Sequence, residues 1–259
     1  MPELPDVEIF RKYWEKTSQN KKITDIEYGA DRVIRSSRSV ISRYFKGTEF
    51  AANLRVGKHL FVQNDRQKWL RFHFGMTGYF DSGKKDDDFE YGQLIFTFSG
   101  GTKTAYINKR KLGNVMIVDS PDKYLQEQNL GPDAMETDPG TFGDLISGRT
   151  GSLKGTLMNQ NVISGLGNVY TDEILYQAGL HPEKPADELT EKELRDLHAV
   201  MSRVLKTAIR NGADPGSFPG TYLTAHRNEG DPCPKCGGGI RKIKVSGRST
   251  YFCPKCQKK

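Results

Sequence analysis

Hydrophobic residues recur with the period of a helix at the start of the chain and with the period of a strand afterwards. Four residues of the segment 5–18 share one helical face, which predicts a helix there with Pro5 in its first turn. The residues of that face are Val7, Phe10, Trp14 and Thr17. Between residues 20 and 118, apolar and polar positions alternate between Gly- and Asp-rich turns. This alternation predicts an antiparallel β-sandwich or barrel.

A second helical region follows a segment rich in Pro, Gly and Asp. Residues 119–152 are predicted to be a linker with a little helix, and residues 153–212 return to helical spacing. Thr190 and Glu193 form a capping box at the start of one helix. Gly165-Leu166-Gly167 leads into another helix that begins at Asn168. Such a turn either presents backbone N–H groups to a phosphate or is simply a tight corner between helices.

Composition excludes several classes of protein. The chain has 259 residues, which fits one large domain or two small ones. Charged residues make up 27% and the mean hydropathy is −0.64, and no apolar run is long enough to span a membrane. The first residues carry acids and lack a basic segment followed by an apolar one, so we expect no secretory signal.

The excess positive charge lies at the C-terminus. The net charge is +7, and residues 231–259 alone hold eight Lys or Arg and one Asp. The first 230 residues are therefore balanced. A local basic excess predicts an anionic partner, most plausibly nucleic acid, against the alternative of a solvated basic tail.

All four cysteines lie in this basic segment and are spaced C-x2-C-x16-C-x2-C. Two residues between the members of each pair allow both thiolates to face one tetrahedral ion. Cys233, Cys236, Cys253 and Cys256 are therefore predicted to bind one structural Zn²⁺, since four thiolates leave no open position for water. One alternative is a pair of disulfides, but the sequence shows no secretory signal. The other is two redox CxxC pairs, but the sequence shows no βαβ pattern around them.

The residues between the cysteine pairs predict a β-hairpin. Apolar residues near Ile240 and Phe252 flank the turn Ser246-Gly247, which places Arg248 at the tip. An exposed arginine beside the hydroxyls of Ser249 and Thr250 is suited to hold a phosphate.

Four motifs occur in order over nearly the full length of the chain: Met1-Pro2-Glu3-Leu4-Pro5, Gly57-Lys58-His59-Leu60, the segment from Asn159-Gln160 through Gly165-Leu166-Gly167-Asn168 to Glu173, and Gly247-Arg248-Ser249-Thr250. With these motifs the chain resembles the formamidopyrimidine-DNA glycosylase and endonuclease VIII family, and the formamidopyrimidine type more closely. The resemblance implies an α+β fold. We expect an N-terminal helix and antiparallel β-sandwich over 1–118, a linker over 119–152, a helix–two-turn–helix domain over 153–230 and a β-hairpin zinc finger over 231–259.

The resemblance implies a bifunctional DNA glycosylase and AP lyase of base excision repair. After removal of Met1, Pro2 becomes a secondary amine with a pKa of about 8 that attacks C1′ of the damaged nucleoside and forms a Schiff base. Glu3 is then the general acid/base, and Lys58 lies on a phosphate beside the lesion. The alternatives without a catalytic role are that Pro2 is an exposed terminal residue, that Glu3 stabilises a helix dipole and that Lys58 is a solvated charge.

The remaining residues implied by the resemblance contact DNA around an extruded nucleotide. Met76 is the apolar wedge that fills the vacated stack, with core filling as the alternative. Arg110 and Leu112 face the orphaned base. Asn168 and Arg248 hold the phosphates that flank the flipped nucleotide.

Three positions depart from the family pattern, and the third of them bears on substrate choice. Asp6 stands where purine-type members usually carry Glu, and Leu112 replaces an aromatic residue. The segment between Asn211 and Cys233 is shorter than the loop that closes over an oxidised guanine in those members. We expect activity on ring-opened or oxidised purines; the alternatives are oxidised pyrimidines or a catalytically silent damaged-DNA-binding protein. A zinc-ribbon protein of transcription or translation would leave the first 230 residues unexplained.

The expected partner is double-stranded damaged DNA, and no membrane is expected. We expect a monomer located in the cytoplasm and, in a prokaryote, associated with the nucleoid.

Overall fold

The computed structural model describes all residues from Met1 to Lys259, which form two compact units. The first contains Met1–Pro2 and Asp6–Asn129, and the second contains Glu3–Pro5 and Leu130–Lys259. None of the helices has the length and apolarity needed to cross a membrane.

The first unit combines an N-terminal helix with two four-stranded antiparallel sheets. Its elements are α1 (Leu4–Thr17), β1 (Ile23–Tyr28), α2 (Arg38–Phe45), β2 (Phe50–Val56), β3 (His59–Asn64), β4 (Trp69–His73), β5 (Tyr79–Lys84), β6 (Gly92–Phe98), β7 (Thr102–Ile107), β8 (Asn114–Val118) and α3 (Pro121–Glu127). The strand orders of the two sheets are β1-β6-β7-β5 and β2-β3-β4-β8.

Trp14 occupies the centre of this unit's core. Its ring lies 4.7 Å from that of Phe50 in one sheet and 4.9 Å from that of Phe80 in the other. Val7 and Trp14 are buried and Phe10 packs against the same cluster, so the predicted apolar face of the first helix is confirmed. The β-sandwich of the predicted α+β fold is also confirmed.

Two features of this unit differ from the sequence-based expectation. A short helix, α2, interrupts the strands because Ile41 and Phe45 at helical spacing can both reach the core. Arg71 alternates with apolar neighbours on β4 as a solvent-facing residue would, yet it is only 4% exposed. Tyr124 of α3 covers it, with the guanidinium carbon 4.7 Å from the ring centre.

The second unit is helical and ends in a two-stranded hairpin. Its elements are α4 (Pro139–Ile146), α5 (Leu153–Met158), α6 (Asn168–Ala178), α7 (Glu191–Arg210), β9 (Arg241–Val245) and β10 (Arg248–Phe252), with short 3-10 helices at Ala186–Glu188, Pro215–Ser217 and Leu223–His226. The capping box of Thr190 and Glu193 is present at the start of α7. The buried face of α7 includes Leu194, Leu197, Met201, Val204 and Leu205, which lie at helical spacing.

The expected linker contains more structure than its composition predicts. Residues 119–152 include α3 and α4, each starting with a proline in its first turn and a side-chain cap from Ser120 or Asp138. Phe142 and Ile146 of α4 are fully buried in the helical core. The Pro- and Asp-rich pattern that indicates a loop therefore marks helix starts in this segment.

Candidate functional site

The most enclosed feature near the N-terminus is a cradle of backbone N–H groups around the Glu3 carboxylate. Gly167 and Tyr170 donate to Oε2 at 2.8 and 3.2 Å, and Val169 donates to Oε1 at 2.8 Å. Glu3 is only 2% exposed. These donors lie at the N-cap and in the first turn of α6, where N–H groups bind partners outside the helix and the helix dipole also stabilises negative charge.

Two glycines make room for this cradle. A Cβ on Gly167 would lie 2.4 Å from Cδ of Glu3, and a Cβ on Gly165 would lie 2.5 Å from Cδ1 of Leu4. Gly165 also has a φ of +110°, which L side chains rarely adopt, and its carbonyl accepts a hydrogen bond from the Leu4 N–H at 3.0 Å. The Gly-x-Gly turn is therefore shaped to fit the N-terminal segment.

The cradle changes the sequence-based interpretation of this turn. The sequence allows its N–H groups to bind a phosphate, whereas in the structure they bind the chain's own carboxylate. Glu3 likewise does not cap the dipole of α1, the alternative role for it, because its carboxylate lies at the start of α6. Pro2, the neighbouring residue, is partly exposed.

Lys58 lies in the two-residue turn that joins β2 to β3. Gly57 takes the left-handed backbone conformation of this turn with a φ of +55°. Arg55 stabilises the turn, because it donates to the Gly57 carbonyl at 3.3 Å and to the Glu8 carboxylate at 3.1 Å. Burial opposes ionisation of Glu8, but hydrogen bonds and charge from Arg11 and Arg55 prevail and lower its pKa.

Two histidines lie on paired positions of β3 and β4 close to this turn. His59 and His73 have ring centres 5.2 Å apart. Burial, with the charges of Arg71 and Lys58, lowers the pKa of His73 to about 4. Burial also lowers the pKa of His59 well below its usual value. Both rings are therefore neutral near pH 7, and Nδ1 of His73 accepts a hydrogen bond from the Gly75 N–H at 3.2 Å.

Met76, Arg110 and Leu112 lie on two loops of the first unit that pack tightly together. A Cβ on Gly75 would lie 2.5 Å from the carbonyl carbon of Leu112, so glycine is required for this approach. The buried amide of Asn108 joins the loops by donating to the Phe74 carbonyl at 3.2 Å. Met76 and Leu112 are 42% and 50% exposed. Such exposure does not fit core filling, the alternative role considered for Met76.

Asn168 and Arg248 are brought together by the hairpin of the second unit. Ser246 and Gly247 form its two-residue turn with φ values of +47° and +76°, which places exposed Arg248 directly after the turn. Asn168, at the start of α6, donates from Nδ2 to the carbonyl of Ser249 at 3.0 Å. The same helix end thus holds both the Glu3 cradle and the hairpin.

A buried ionic network fixes the hairpin against the helices. Lys154 Nζ donates to Asp172 Oδ1 at 2.6 Å and to Thr250 Oγ1 at 2.8 Å, and both charged side chains are completely buried. Asp172 Oδ2 also accepts from Arg227 at 2.6 Å and from the N–H of Tyr251 at 3.2 Å. Burial lowers the pKa of Lys154, and the Asp172 carboxylate opposes that shift.

The four cysteines form a metal site. The ligand atoms of Cys233, Cys236, Cys253 and Cys256 all lie within 4.8 Å of one another. The Sγ atoms of Cys233 and Cys256 are 3.8 Å apart. A tetrahedral ion with Zn–S bonds of about 2.3 Å holds its sulfurs about 3.8 Å apart, so the geometry fits zinc. The site binds one structural Zn²⁺, as the spacing predicts. The hydroxyl of Tyr176 lies 3.1 Å from the Cys233 sulfur and supports it from α6.

Sequence reasoning missed the residues that support these groups from behind. Lys154, Asp172 and Glu173 are charged side chains on buried faces of helices. One signal was available for the last two: on α6 they lie between Tyr170 and the apolar pair Ile174–Leu175, where a solvated acid is out of place.

Comparisons with known proteins agree with this arrangement. Residues 1–115 match the formamidopyrimidine-DNA glycosylase N-terminal domain, residues 130–218 the H2TH domain of the same enzyme, and residues 230–259 the zinc finger found in FPG and IleRS. The formamidopyrimidine-DNA glycosylase of Ligilactobacillus salivarius is 32% identical over 99% of both chains. That of Lactococcus lactis subsp. lactis is 32% identical over the full length of both.

Solved structures match over the whole chain as well. The Lactococcus lactis Fpg in complex with abasic-site DNA has a TM-score of 0.90 at 30% identity, covering 99% of this chain and 100% of that one. MutM in complex with DNA containing carbocyclic 8-oxo-G has a TM-score of 0.90 at 31% identity, covering 100% of both. The sandwich, the helical unit and the four-cysteine finger define a class of DNA-repair protein with a zinc finger. This chain belongs to the formamidopyrimidine-DNA glycosylase family, which confirms the resemblance drawn from its motifs.

Proposed function

We propose that the protein is a bifunctional DNA glycosylase and AP lyase that excises oxidised or ring-opened purines from duplex DNA. The observation that carries this proposal is the Glu3 cradle. A buried carboxylate held by three backbone N–H groups lies directly after Pro2 in the chain. A protein that only bound DNA would need neither the cradle nor the two glycines that make room for it.

The proposed chemistry begins at the nitrogen of Pro2 once Met1 has been removed. The neutral secondary amine attacks C1′ of the damaged nucleoside, and the bond between C1′ and the base breaks; the base leaves with the bonding electron pair and takes a proton from water. Glu3 accepts the proton that leaves the amine and returns it to the sugar-ring oxygen as the ring opens. The resulting iminium acidifies the proton on C2′, and its removal leads to β-elimination of the 3′ phosphate and then δ-elimination of the 5′ phosphate.

The other predicted residues have positions that suit DNA contacts. We propose that Lys58, Asn168 and Arg248 hold phosphates around the flipped nucleotide. Arg248 is exposed after its turn, and Lys58 lies in a turn that Arg55 stabilises. Met76, Arg110 and Leu112 fill the vacated stack and face the orphaned base, in keeping with the exposure of Met76 and Leu112.

The choice between purine and pyrimidine lesions depends on the segment before the zinc finger. The alignment with the Lactococcus lactis relative runs over 276 positions, so at least 17 of them have no residue in this 259-residue chain. We assign part of this shortening to the segment between Asn211 and Cys233, which is tied to α6 because Thr224 donates its N–H and its hydroxyl to Glu173 at 2.8 and 2.6 Å. This favours ring-opened purines over 8-oxoguanine, and it keeps oxidised pyrimidines as the second candidate substrate.

The decisive experiment is borohydride trapping on duplexes that each carry one lesion. Ring-opened guanine, 8-oxoguanine, an oxidised pyrimidine and an abasic site are compared with protein whose N-terminal residue has been identified by mass spectrometry. We expect a covalent complex that is strongest with ring-opened guanine and is lost or much reduced in Pro2→Gly. Protein that retains Met1 is the matched control, because its sequence is the same but its prolyl amine is blocked.

Each other outcome points to a different function. Trapping at the abasic site alone would indicate a lyase without the proposed base specificity. A complex that forms mainly with the oxidised pyrimidine would support the endonuclease VIII-like alternative. Tight binding to every duplex with no trapping would indicate a silent damaged-DNA-binding protein. The monomeric state and the cytoplasmic, nucleoid-associated location stay predictions that follow from the proposed substrate.

A further inference from the structure

Exposed large apolar side chains concentrate on one surface of the first unit. The chain has six of them, and four lie on or beside the two loops that carry Met76 and Arg110. The four are Met76, Tyr79, Tyr91 and Leu112. Tyr79 begins β5 directly after the Met76 loop, and Tyr91 immediately precedes β6. The proposed function so far uses only Met76 and Leu112.

Tyr91 is bound to the loop that carries Arg110 and Leu112. Its carbonyl accepts the N–H of Asn108, the residue that begins this loop, at 3.1 Å. The same carbonyl accepts Nε2 of Gln93, a buried residue, at 2.9 Å. Lys109 places its ammonium 5.1 Å from the centre of the Tyr91 ring. Backbone and side chain of Tyr91 are thus both positioned by neighbours of the loop.

The backbone conformation of Tyr91 is unfavourable for its residue type. Its φ is +62°, and it is the one aromatic residue among seven non-glycine residues with positive φ. This region is unfavourable for an L residue with a bulky side chain, and glycine or asparagine adopts it more readily. The side chain is 39% exposed, so core packing does not account for a tyrosine here. Strain at an exposed aromatic residue beside a binding loop indicates a role in binding.

The charges around Tyr91 fit a nucleic-acid strand. Lys109, Arg110 and Lys111 follow one another in the loop, and Arg32 donates to the Arg110 carbonyl at 3.3 Å. Acids are present as well: Glu90 directly precedes Tyr91 and raises the pKa of its phenol, and Asp86, Asp87 and Asp88 come shortly before it in the chain. An aromatic ring among cations is the combination that stacks on bases while neighbouring groups hold phosphates.

We propose that the Tyr91 ring stacks on a base of the complementary strand, beside the base left unpaired by nucleotide flipping. This inference rests on the proposed function, which places Arg110 and Leu112 against the orphaned base. Tyr91 extends that contact to the next nucleotide of the complementary strand. It acts as a specificity-determining residue for duplex substrates and takes no part in the reaction at C1′.

The test compares Tyr91→Leu and Tyr91→Phe in the full-length protein. Leucine keeps the bulk and the backbone cost but removes the ring, whereas phenylalanine keeps the ring and removes the hydroxyl. We expect Tyr91→Leu to weaken binding to a duplex with a stable abasic analogue on the order of ten-fold. Tyr91→Phe should bind like the wild type, and a single strand with the same analogue should not distinguish the variants.

Two further variants separate contact with DNA from an effect on folding. Tyr44→Leu is the matched control, because Tyr44 also lies beneath a lysine, with Lys68 Nζ 5.2 Å from its ring centre. It should leave duplex affinity unchanged. Tyr91→Asn suits the positive φ, so it should keep or raise the melting temperature and still lose duplex affinity. A stable Tyr91→Asn protein with wild-type affinity would overturn the proposal.

A fluorescent base reports the contact directly. With 2-aminopurine next to the orphaned position in the complementary strand, stacking on the wild-type ring should quench its emission and Tyr91→Leu should restore it. Equal emission in both proteins would contradict the stacking. If the wild type excises the lesion and the Tyr91 variants match it in duplex affinity and in 2-aminopurine emission, this inference alone is refuted. A wild type without activity on any lesion refutes the proposed function.

Discussion

Glu3 and Gly167 fit each other at the scale of single atoms. The carboxylate fills the space that any side chain at position 167 would occupy, with 2.4 Å between its Cδ and the position of a Cβ. The two residues are 164 positions apart in the chain. Other residues could adopt the backbone angles of Gly167. Glycine is required there because the Glu3 carboxylate occupies the space of a side chain.

Gly167→Ala is expected to displace Glu3 without altering any ionisable group. The added methyl group cannot coexist with the present carboxylate position, so single-turnover base excision and borohydride trapping should fall at least ten-fold. Gly143→Ala is the matched control, because a Cβ there meets nothing within 4 Å and alanine favours its helix. Gly167→Ala protein with wild-type trapping would show that the Glu3 position is not needed.

His73 makes the stability of the first unit depend on pH. Its pKa is about 4 in the folded protein, whereas an unfolded histidine has a pKa of about 6.5. The unfolded chain therefore binds more protons between these values, and the stability present above pH 6.5 is lost as the pH falls toward 4. We expect His73 to remove about 2 kcal/mol of the free energy of unfolding between pH 7.5 and 5.

Tryptophan fluorescence during urea unfolding measures this effect, because Trp14 and Trp69 are the only two tryptophans and both belong to the first unit. His73→Gln keeps an acceptor for the Gly75 N–H and cannot titrate. It should reduce the pH dependence but not abolish it, since burial also lowers the pKa of His59. The same pH dependence in wild type and variant would contradict the assignment.

At the scale of elements, the sequence predicted those features of helices and turns that depend on residues close together in the chain. The capping box at Thr190, the face of α1 with Val7 and Trp14, and the hairpin turn at Gly247 are all encoded within a few positions. The burial of Lys154 was not predictable in this way. Lys154 lies 18 residues from Asp172 and 96 from Thr250, and only the tertiary fold brings the three together.

The same limit applies to the candidate site. The cysteine spacing alone predicts the zinc site, because four ligands in two close pairs have few other uses. The Glu3 carboxylate and its donors in α6 share no local pattern. The family resemblance pointed to Glu3. The structure shows why its carboxylate lies where it does, because three backbone N–H groups at the start of α6 bind it.

Zinc removal tests whether the finger acts as an element that presents Arg248. A strong chelator should leave the tryptophan emission unchanged, because both tryptophans lie in the first unit, and should lower affinity for lesion duplexes. Restoring zinc should restore affinity, with zinc content measured by a metallochromic dye at each step. If the metal is gone and binding is unchanged, the buried contacts of Lys154 with Asp172 and Thr250 hold the hairpin without it.

At the scale of the whole molecule, charge is distributed unevenly. The net charge of +7 equals the excess in residues 231–259, while the first 230 residues are balanced. Four thiolates on Zn²⁺ add a formal charge of −2 to this region, so the finger is less basic than its side chains indicate. Local residues such as Arg248, more than a general positive field, must therefore supply the contacts with phosphate.

Affinity for duplex DNA is accordingly expected to fall steeply as the salt concentration rises. We expect Arg248 to account for a definable part of this salt dependence. Each neutralised phosphate contributes about −0.9 to the slope of log K against log salt concentration. Arg248→Ala should therefore make the slope shallower by about 0.9, with a similar loss on damaged and undamaged duplexes. Fluorescence anisotropy between 50 and 200 mM salt measures both.

Lys192→Ala is the control for a change in overall charge. Lys192 is 79% exposed on α7, and its ammonium pairs with Asp196 at 2.5 Å, so its removal changes the net charge by the same single unit. Equal slopes for the two variants would mean that net charge alone sets the salt dependence. A shallower slope only for Arg248→Ala would locate a phosphate contact at the tip of the hairpin, because a released counterion requires a phosphate that this side chain neutralises.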